Sequence, residues 1–227
     1  MESGTILLIK LDGSTWHHSP LPAPTMFDAR QIAHLQDKAT VRWHSTPARD
    51  AAAAPADPLL DLILAQHHAN FDLWHEEDKA REPGVSDAAI AQVKHNIDAL
   101  NQTRNDLVET IDRALLEAAG TQNPEAPLQS ETPGLMIDRL SILALKIYHT
   151  AEEATRPSAS EAHHQKNTTR LALLQEQRTD LAACLNTLWT DVLQGKHRFK
   201  LYRQMKMYND PELNPMMYAH KPPEEPS

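Results

Sequence analysis

Polar and charged residues recur at helical spacing in the segment NFDLWHEEDKAR. Asn70, Trp74, Asp78 and Arg81 are separated by four, four and three positions, so they share one face of a helix. Because Trp74 is large and apolar, it favours an inward orientation of this face. The guanidinium of Arg81 is suited to bind an anion, and Asp78 is suited to orient that cation or to transfer a proton.

A second segment, KHNIDALNQTRNDLVETID, places an arginine among apolar residues. Arg104 lies about one turn from Leu100 on one side and from Leu107 on the other, while Asn101 and Asn105 belong to the neighbouring face. An arginine among leucines needs acidic or amide partners, because an unpaired buried charge costs several kcal/mol. The alternative is a surface arginine whose stem packs along apolar neighbours.

A third segment, GLMIDRLSILALKIYHT, is apolar almost all round, so its few polar residues are conspicuous. Lys146 and His149 are about one turn apart among apolar neighbours, which favours a cleft over an exposed surface. Asp138 follows the predicted start of this helix, so it either orients a cation or complements the helix N-terminus. We predict Asp78, Asp138 and His149 as candidate catalytic residues.

Three segments with such side chains predict a polar cleft between helices, which binds an anionic small molecule such as a sugar phosphate, a nucleotide-sugar or a carboxylate. The predicted ligand-binding residues are Asn70, Trp74, Glu77, Arg81, Asn101, Arg104, Asn105 and Lys146. A hydrogen-bond network that only fixes helix packing would give the same sequence pattern.

Carboxylates about one turn apart permit a second hypothesis, a magnesium-dependent all-α hydrolase of phosphoanhydrides. Asp72 and Glu76 form one pair, and Glu109 and Asp112 form another in the following helix. The spacing is generic, and the paired-glutamate motif of helical pyrophosphohydrolases is not clearly present. Magnesium is therefore the cofactor of this alternative only.

The histidines permit a variant of this second hypothesis, in which His68, His75 and Glu76 bind a transition-metal ion. His68 and His75 are seven positions apart, so they could not both reach one ion without Asp72 between them.

A third hypothesis is a non-catalytic protein-interaction partner. It would dock through the Met- and Tyr-rich segment RQMKMYNDPELNPMMY near the C-terminus.

The elements that must position these residues are predicted to be helices. The chain of 227 residues has only six glycines and three phenylalanines, and its long tracts of Ala, Leu, Glu, Gln, Lys and Arg favour helix over strand. Helix starts are predicted at Asp57 or Pro58, at Ser86 and at Thr132, and helix ends at Gly120 and Gly195. The fold class is therefore all-α, an antiparallel bundle of four long helices with an N-terminal helix and a C-terminal wrapping segment.

The domain prediction has three parts: an extended lead-in over residues 1–27, one bundle domain over 28–215 and a loose acidic, Pro-rich tail over 216–227.

The net charge of -9 gives no global attraction to nucleic acid or to an anionic membrane. No apolar run reaches the roughly 18 residues needed to span a bilayer. The single cysteine, Cys184, is predicted to be a buried thiol, as suits a reducing cytoplasm. We expect a cytoplasmic protein.

Four ordered runs carry a family resemblance: HHANFDLWHEEDKAR, IDALNQTRNDLVETID, TPGLMIDRLSILALKIYH and KLYRQMKMYNDPELNP. From about Asp28 to Pro215 the chain resembles a bacterial family known as domain of unknown function 4254 (DUF4254). The resemblance implies a shared site at the polar clusters, namely Asn70, Trp74, Glu77, Asp78, Arg81, Asn101, Arg104, Asn105, Asp138 and Lys146. It also implies a setting in cell-envelope glycan metabolism, because relatives are often encoded near glycosyltransferases.

Overall fold

A computed structural model describes residues 28–45, 57–205 and 212–215. Within these ranges the chain forms five α-helices and two short strands. They are α1 (Ala29–Ser45), α2 (Pro58–Lys79), α3 (Asp87–Ala119), β1 (Leu128–Gln129), α4 (Pro133–Thr155), α5 (Glu161–Leu193) and β2 (Arg198–Phe199). The all-α class is confirmed, while the predicted lead-in and tail lie outside the described residues.

Local capping fixes where the helices begin. Each of α2 to α5 is preceded by a residue whose side-chain oxygen accepts a hydrogen bond from a backbone N–H in the first turn. These caps are Asp57, Ser86, Thr132 and Ser160. The predicted starts at Pro58, Ser86 and Thr132 are confirmed. Gly120, at a φ of 66°, follows the last residue of α3 as predicted.

The core forms around α4, which contacts each of the other four helices described here. Its Ile137 and Leu140 pack in one apolar cluster with Ile63 of α2, Ile111 of α3 and Trp189 of α5. These side chains are almost completely buried. A helix surrounded in this way must be apolar on most of its faces, which explains the sequence of α4.

Two pairs of helices form hairpins. Residues 80–86 join α2 to α3, residues 156–160 join α4 to α5, and both pairs pack together extensively. Two helices joined by so few residues and packed along their length run antiparallel. The antiparallel order of the whole bundle stays a prediction.

The segment after α5 is tied to the connection between α3 and α4. β2 pairs in parallel with β1, and the Gln122 side chain bonds both the N–H and the C=O of Phe199, at 2.9 and 3.0 Å. The side chain of Phe199 is buried. The segment that follows α5 thus closes one end of the core.

The prediction for Cys184 was wrong, because this thiol is exposed. α5 buries the stripe that contains Leu181, Leu185 and Leu188. Ala182 and Trp189 are buried as well, so the centre of the buried face lies about 100° around the helix from Cys184, which falls beyond its edge. Apolar neighbours in sequence are therefore not neighbours in space here.

Candidate functional site

A buried carboxylate lies where α2, α3 and α4 meet. Asp138 Oδ1 accepts hydrogen bonds from the side-chain amides of Gln66 and Asn70, the second at 2.9 Å. The Nε atom of Arg104 lies 3.8 Å from the same oxygen. Burial raises the pKa of Asp138, while Arg104 and Asn70 oppose this shift. Asp138 therefore holds side chains of two other helices in place.

A serine and a histidine extend this network towards α1. Ser141 Oγ lies 2.7 Å from His67 Nδ1 and accepts a hydrogen bond from Asn70. His67 Nε2 lies 2.9 Å from Gln36 O, and since a carbonyl only accepts, Nε2 carries the proton and Nδ1 accepts from Ser141. Burial lowers the pKa of His67 to about 3, so the ring is neutral.

A serine hydrogen-bonded to a histidine is the arrangement of an activated nucleophile. Here both side chains are completely buried, so no substrate reaches Ser141. The pair is structural. The predicted site residues did not include Gln66, His67 or Ser141. A histidine on an apolar helical face, such as His67, does indicate a buried polar network.

A cleft of about 390 Å³ opens next to this network. It is lined by residues of α2, α3 and α4 and by Arg81, which follows α2. The lining residues are Asn70, Leu73, Trp74, Glu77, Asp78, Arg81, Arg104, Ile142 and Leu145. The structure thus brings together six of the predicted site residues, namely Asn70, Trp74, Glu77, Asp78, Arg81 and Arg104.

The guanidinium of Arg104 is poorly satisfied for a group that is only 26% exposed. Its Nε is buried and has no hydrogen-bond partner among the described residues. Its Nη2 lies 3.5 Å from Asn105 Oδ1, at the limit of a hydrogen bond. Arg104 thus has Asp138 and Asn105 as partners, as an arginine among leucines requires, but most of its five donors remain available.

A second arginine lies at the rim of the cleft. Arg81 donates to Glu77 Oε2 at 2.8 Å, and the two side chains are 68% and 44% exposed. An ion pair this exposed contributes at most about 1 kcal/mol, so Arg81 can exchange its partner for a ligand at low cost. Asp78 is also exposed.

The other predicted site residues do not line the cleft. They are Asn101, Asn105, Asp138, Lys146 and His149. Asn101 donates to Ile97 O within α3, whereas Asn105 is buried against Arg104. Lys146 is exposed on the same strip of α4 as Arg139, seven positions earlier, so its apolar neighbours in sequence did not indicate a cleft.

The four carboxylates of the magnesium hypothesis do not converge. In the described ranges, no group of three or more carboxylates lies close enough to share an ion. Asp112 is occupied by α4: it accepts hydrogen bonds from Thr132 Oγ1 and, at 2.6 Å, from the N–H of Gly134. Burial raises the pKa of Asp112 to about 6, although the two hydrogen bonds by themselves lower it. Asp112, a residue of α3, thus caps the N-terminal end of α4. Glu109 accepts a hydrogen bond from the backbone N–H of Gln204.

The protein is thus an all-α protein with a cleft between three of its helices, lined by both charged and apolar side chains. None of the helices within the described ranges has an apolar stretch of the length that a bilayer requires. The chain belongs to the family described as "Protein of unknown function (DUF4254)", whose model matches residues 60–201 and therefore every residue that lines the cleft. Searches of curated proteins and of solved structures found no match.

Proposed function

We propose that the cleft binds an anionic small molecule, whose charged group pairs with Arg104. The observation that carries this proposal is the guanidinium of Arg104, which borders the cleft, is 26% exposed and has its nearest amide acceptor, Asn105 Oδ1, only at 3.5 Å from Nη2. Partial burial of a cation without a well-placed acceptor is unfavourable, because the protein then replaces only part of the lost hydration. A phosphate or carboxylate oxygen would recover this energy, and the planar guanidinium fits both groups in a bidentate manner.

The remaining side chains favour a sugar phosphate over a more highly charged ligand. Glu77 and Asp78 bring two carboxylates to a cleft that has two arginines, so a strongly anionic molecule would meet repulsion as well as attraction. Carboxylates do accept hydrogen bonds from sugar hydroxyls. Trp74 offers an aromatic ring against which a sugar can pack, and it is held by stacking on His149 with ring centroids 4.9 Å apart.

The same proposal includes the setting and the candidate acid or base. Asp78 is the candidate for proton transfer, because it is the one predicted catalytic residue that borders the cleft. A role in cell-envelope glycan metabolism in the bacterial cytoplasm fits a sugar phosphate ligand, since phosphorylated sugars are intermediates of that chemistry.

The proposal predicts that Arg104→Ala abolishes ligand binding at concentrations that saturate the wild type. Loss of charge-assisted hydrogen bonds to an anion weakens binding by about 100-fold. The measurement is thermal stabilisation by a panel of sugar phosphates, nucleotide-sugars and carboxylates, followed by calorimetric titration of the best compound.

Arg139→Ala is the matched control, because Arg139 is an exposed arginine of α4 paired with Glu131, away from the cleft. It should bind as the wild type does. The proposal is wrong if no compound stabilises the wild type, or if a folded Arg104→Ala retains full affinity.

A further inference from the structure

Three histidines from three helices converge on one point outside the cleft. His44 of α1, His75 of α2 and His149 of α4 each offer one ring nitrogen, and these nitrogens lie within 4.8 Å of one another. No other group of three or more potential metal-binding side chains occurs in the described ranges. Because the three residues are far apart in the sequence, this convergence is produced by the helix packing alone.

Each of these rings is oriented in the same way. His44 Nδ1 lies 2.8 Å from Thr40 O, and His75 Nδ1 lies 2.8 Å from Phe71 O. A carbonyl only accepts, so Nδ1 carries the proton in both rings, and Nε2 keeps its lone pair. His149 Nδ1 lies 3.0 Å from Glu152 Oε2, which requires the same tautomer.

This is the outer-shell pattern of metal-binding histidines. A histidine that ligates a metal through one nitrogen nearly always donates the other N–H to a carbonyl or a carboxylate, which fixes the tautomer and increases the basicity of the ligand. The neutral ring is the form that binds metal ions.

Packing of neutral aromatic rings does not fully explain the cluster. His44 stacks on Tyr148 with ring centroids 4.2 Å apart, and both His44 and His75 contact Phe71. Yet the Nε2 atoms of His44 and His149 are buried and have no hydrogen-bond partner among the described residues. Buried acceptors without a donor are unfavourable, and a cation bound by the histidine cluster through these atoms would remove that cost.

We infer that His44, His75 and His149 bind a divalent transition-metal ion, and that Zn²⁺ is the ion they fit best. Zinc accepts three imidazole nitrogens at about 2.0–2.1 Å and leaves a further position for water or another ligand. Nitrogens bound to tetrahedral zinc lie about 3.3 Å apart, so each ring needs to move inward by only about 1 Å. This inference is independent of the proposed anion site, although Trp74 contacts both.

The test is a titration of the full-length protein, prepared without a polyhistidine tag and stripped with a chelator, with Co²⁺ and then Zn²⁺. One Co²⁺ per chain should give the visible absorption of four- or five-coordinate cobalt, and Zn²⁺ should displace it. His44→Ala, His75→Ala and His149→Ala should each weaken binding by about 100-fold or more. His95→Ala, which removes an exposed histidine of α3, should leave binding unchanged.

Glu152→Gln tests the outer shell, since loss of such a partner weakens metal binding by about 10–100-fold. Should a histidine variant fail to fold, X-ray absorption of the zinc-loaded wild type decides: three imidazole nitrogens support the site, and oxygen-dominated coordination overturns it. No uptake of Co²⁺ by the wild type, or a cobalt spectrum that survives in His44→Ala, also overturns it. None of these measurements depends on an anion bound in the cleft.

Discussion

Replacing Gly134, the second residue of α4, by alanine will lower the free energy of unfolding by about 3 kcal/mol, because the added methyl group overpacks the contact between α3 and α4. A Cβ at this position would lie 2.7 Å from Asp112 Oδ1 and 2.8 Å from Val108 O. Val108 O is a backbone atom inside α3, and the Asp112 carboxylate is held by Thr132. Neither can retreat cheaply, so α3 and α4 must separate.

Denaturant unfolding of Gly134→Ala measures this effect, with Gly84→Ala as the control. Gly84 has a φ of 84°, and no atom lies within 4 Å of the point that a Cβ would occupy there, so alanine meets only the backbone cost of about 1–2 kcal/mol. A Gly134→Ala protein as stable as the wild type would mean that α3 and α4 are not in this close contact.

Lowering the pH from about 7 to about 4 will destabilise the wild type by about 3 kcal/mol relative to His67→Gln. Burial, with a contribution from His68 and against the bond to Gln36, lowers the pKa of His67 from 6.5 to about 3. Between these values the unfolded chain binds a proton that the folded protein does not. Stability due to His67 is therefore present above about pH 6.5 and is lost as the pH falls towards 3.

Asp112 has the opposite effect in part of this range. Its raised pKa, about 6, means that the folded protein keeps a proton that the unfolded chain has released, so the stability it contributes is lost as the pH rises from about 4 to about 6. The pH profile of the wild type alone is therefore shallow. Comparison with His67→Gln isolates the histidine, because Asp112 titrates in both proteins.

Unfolding free energies at several pH values for wild type, His67→Gln and His95→Gln check this result. His95 is exposed, so His95→Gln should follow the wild type at every pH. If His67→Gln also runs parallel to the wild type, His67 is not a buried neutral histidine.

Features that depend on neighbouring residues in the chain could be predicted from the sequence. A cap such as Ser86 or Thr132 acts within one turn of its own helix, so its signature is local. The periodicity of α2 also indicated that Asn70, Trp74, Asp78 and Arg81 lie on one face, and all four line the cleft.

Features that depend on how the helices are rotated against each other could not be predicted from the sequence. α4 is apolar on most faces, so its sequence did not reveal that Lys146 lies on the exposed strip while Ser141, five positions earlier, is completely buried. In the sequence Asp112 resembled a metal ligand. Its actual role is to cap the start of α4, and this role depends on α4 lying next to α3 in space. The histidine cluster needs three helices at once, and nothing distinguished His44 among thirteen histidines.

The proposed anion site is tested most directly by the side-chain Nε–H resonance of Arg104 in a proton–nitrogen correlation spectrum, assigned by its loss in Arg104→Lys. Titration with a hexose phosphate should shift this resonance in a saturable manner, because the guanidinium that carries the Nε–H gains a charged acceptor. The resonance of Arg139 should not move. An Arg104 resonance that stays in place with hexose phosphates, nucleotide-sugars and carboxylates at millimolar concentration would contradict the proposed function.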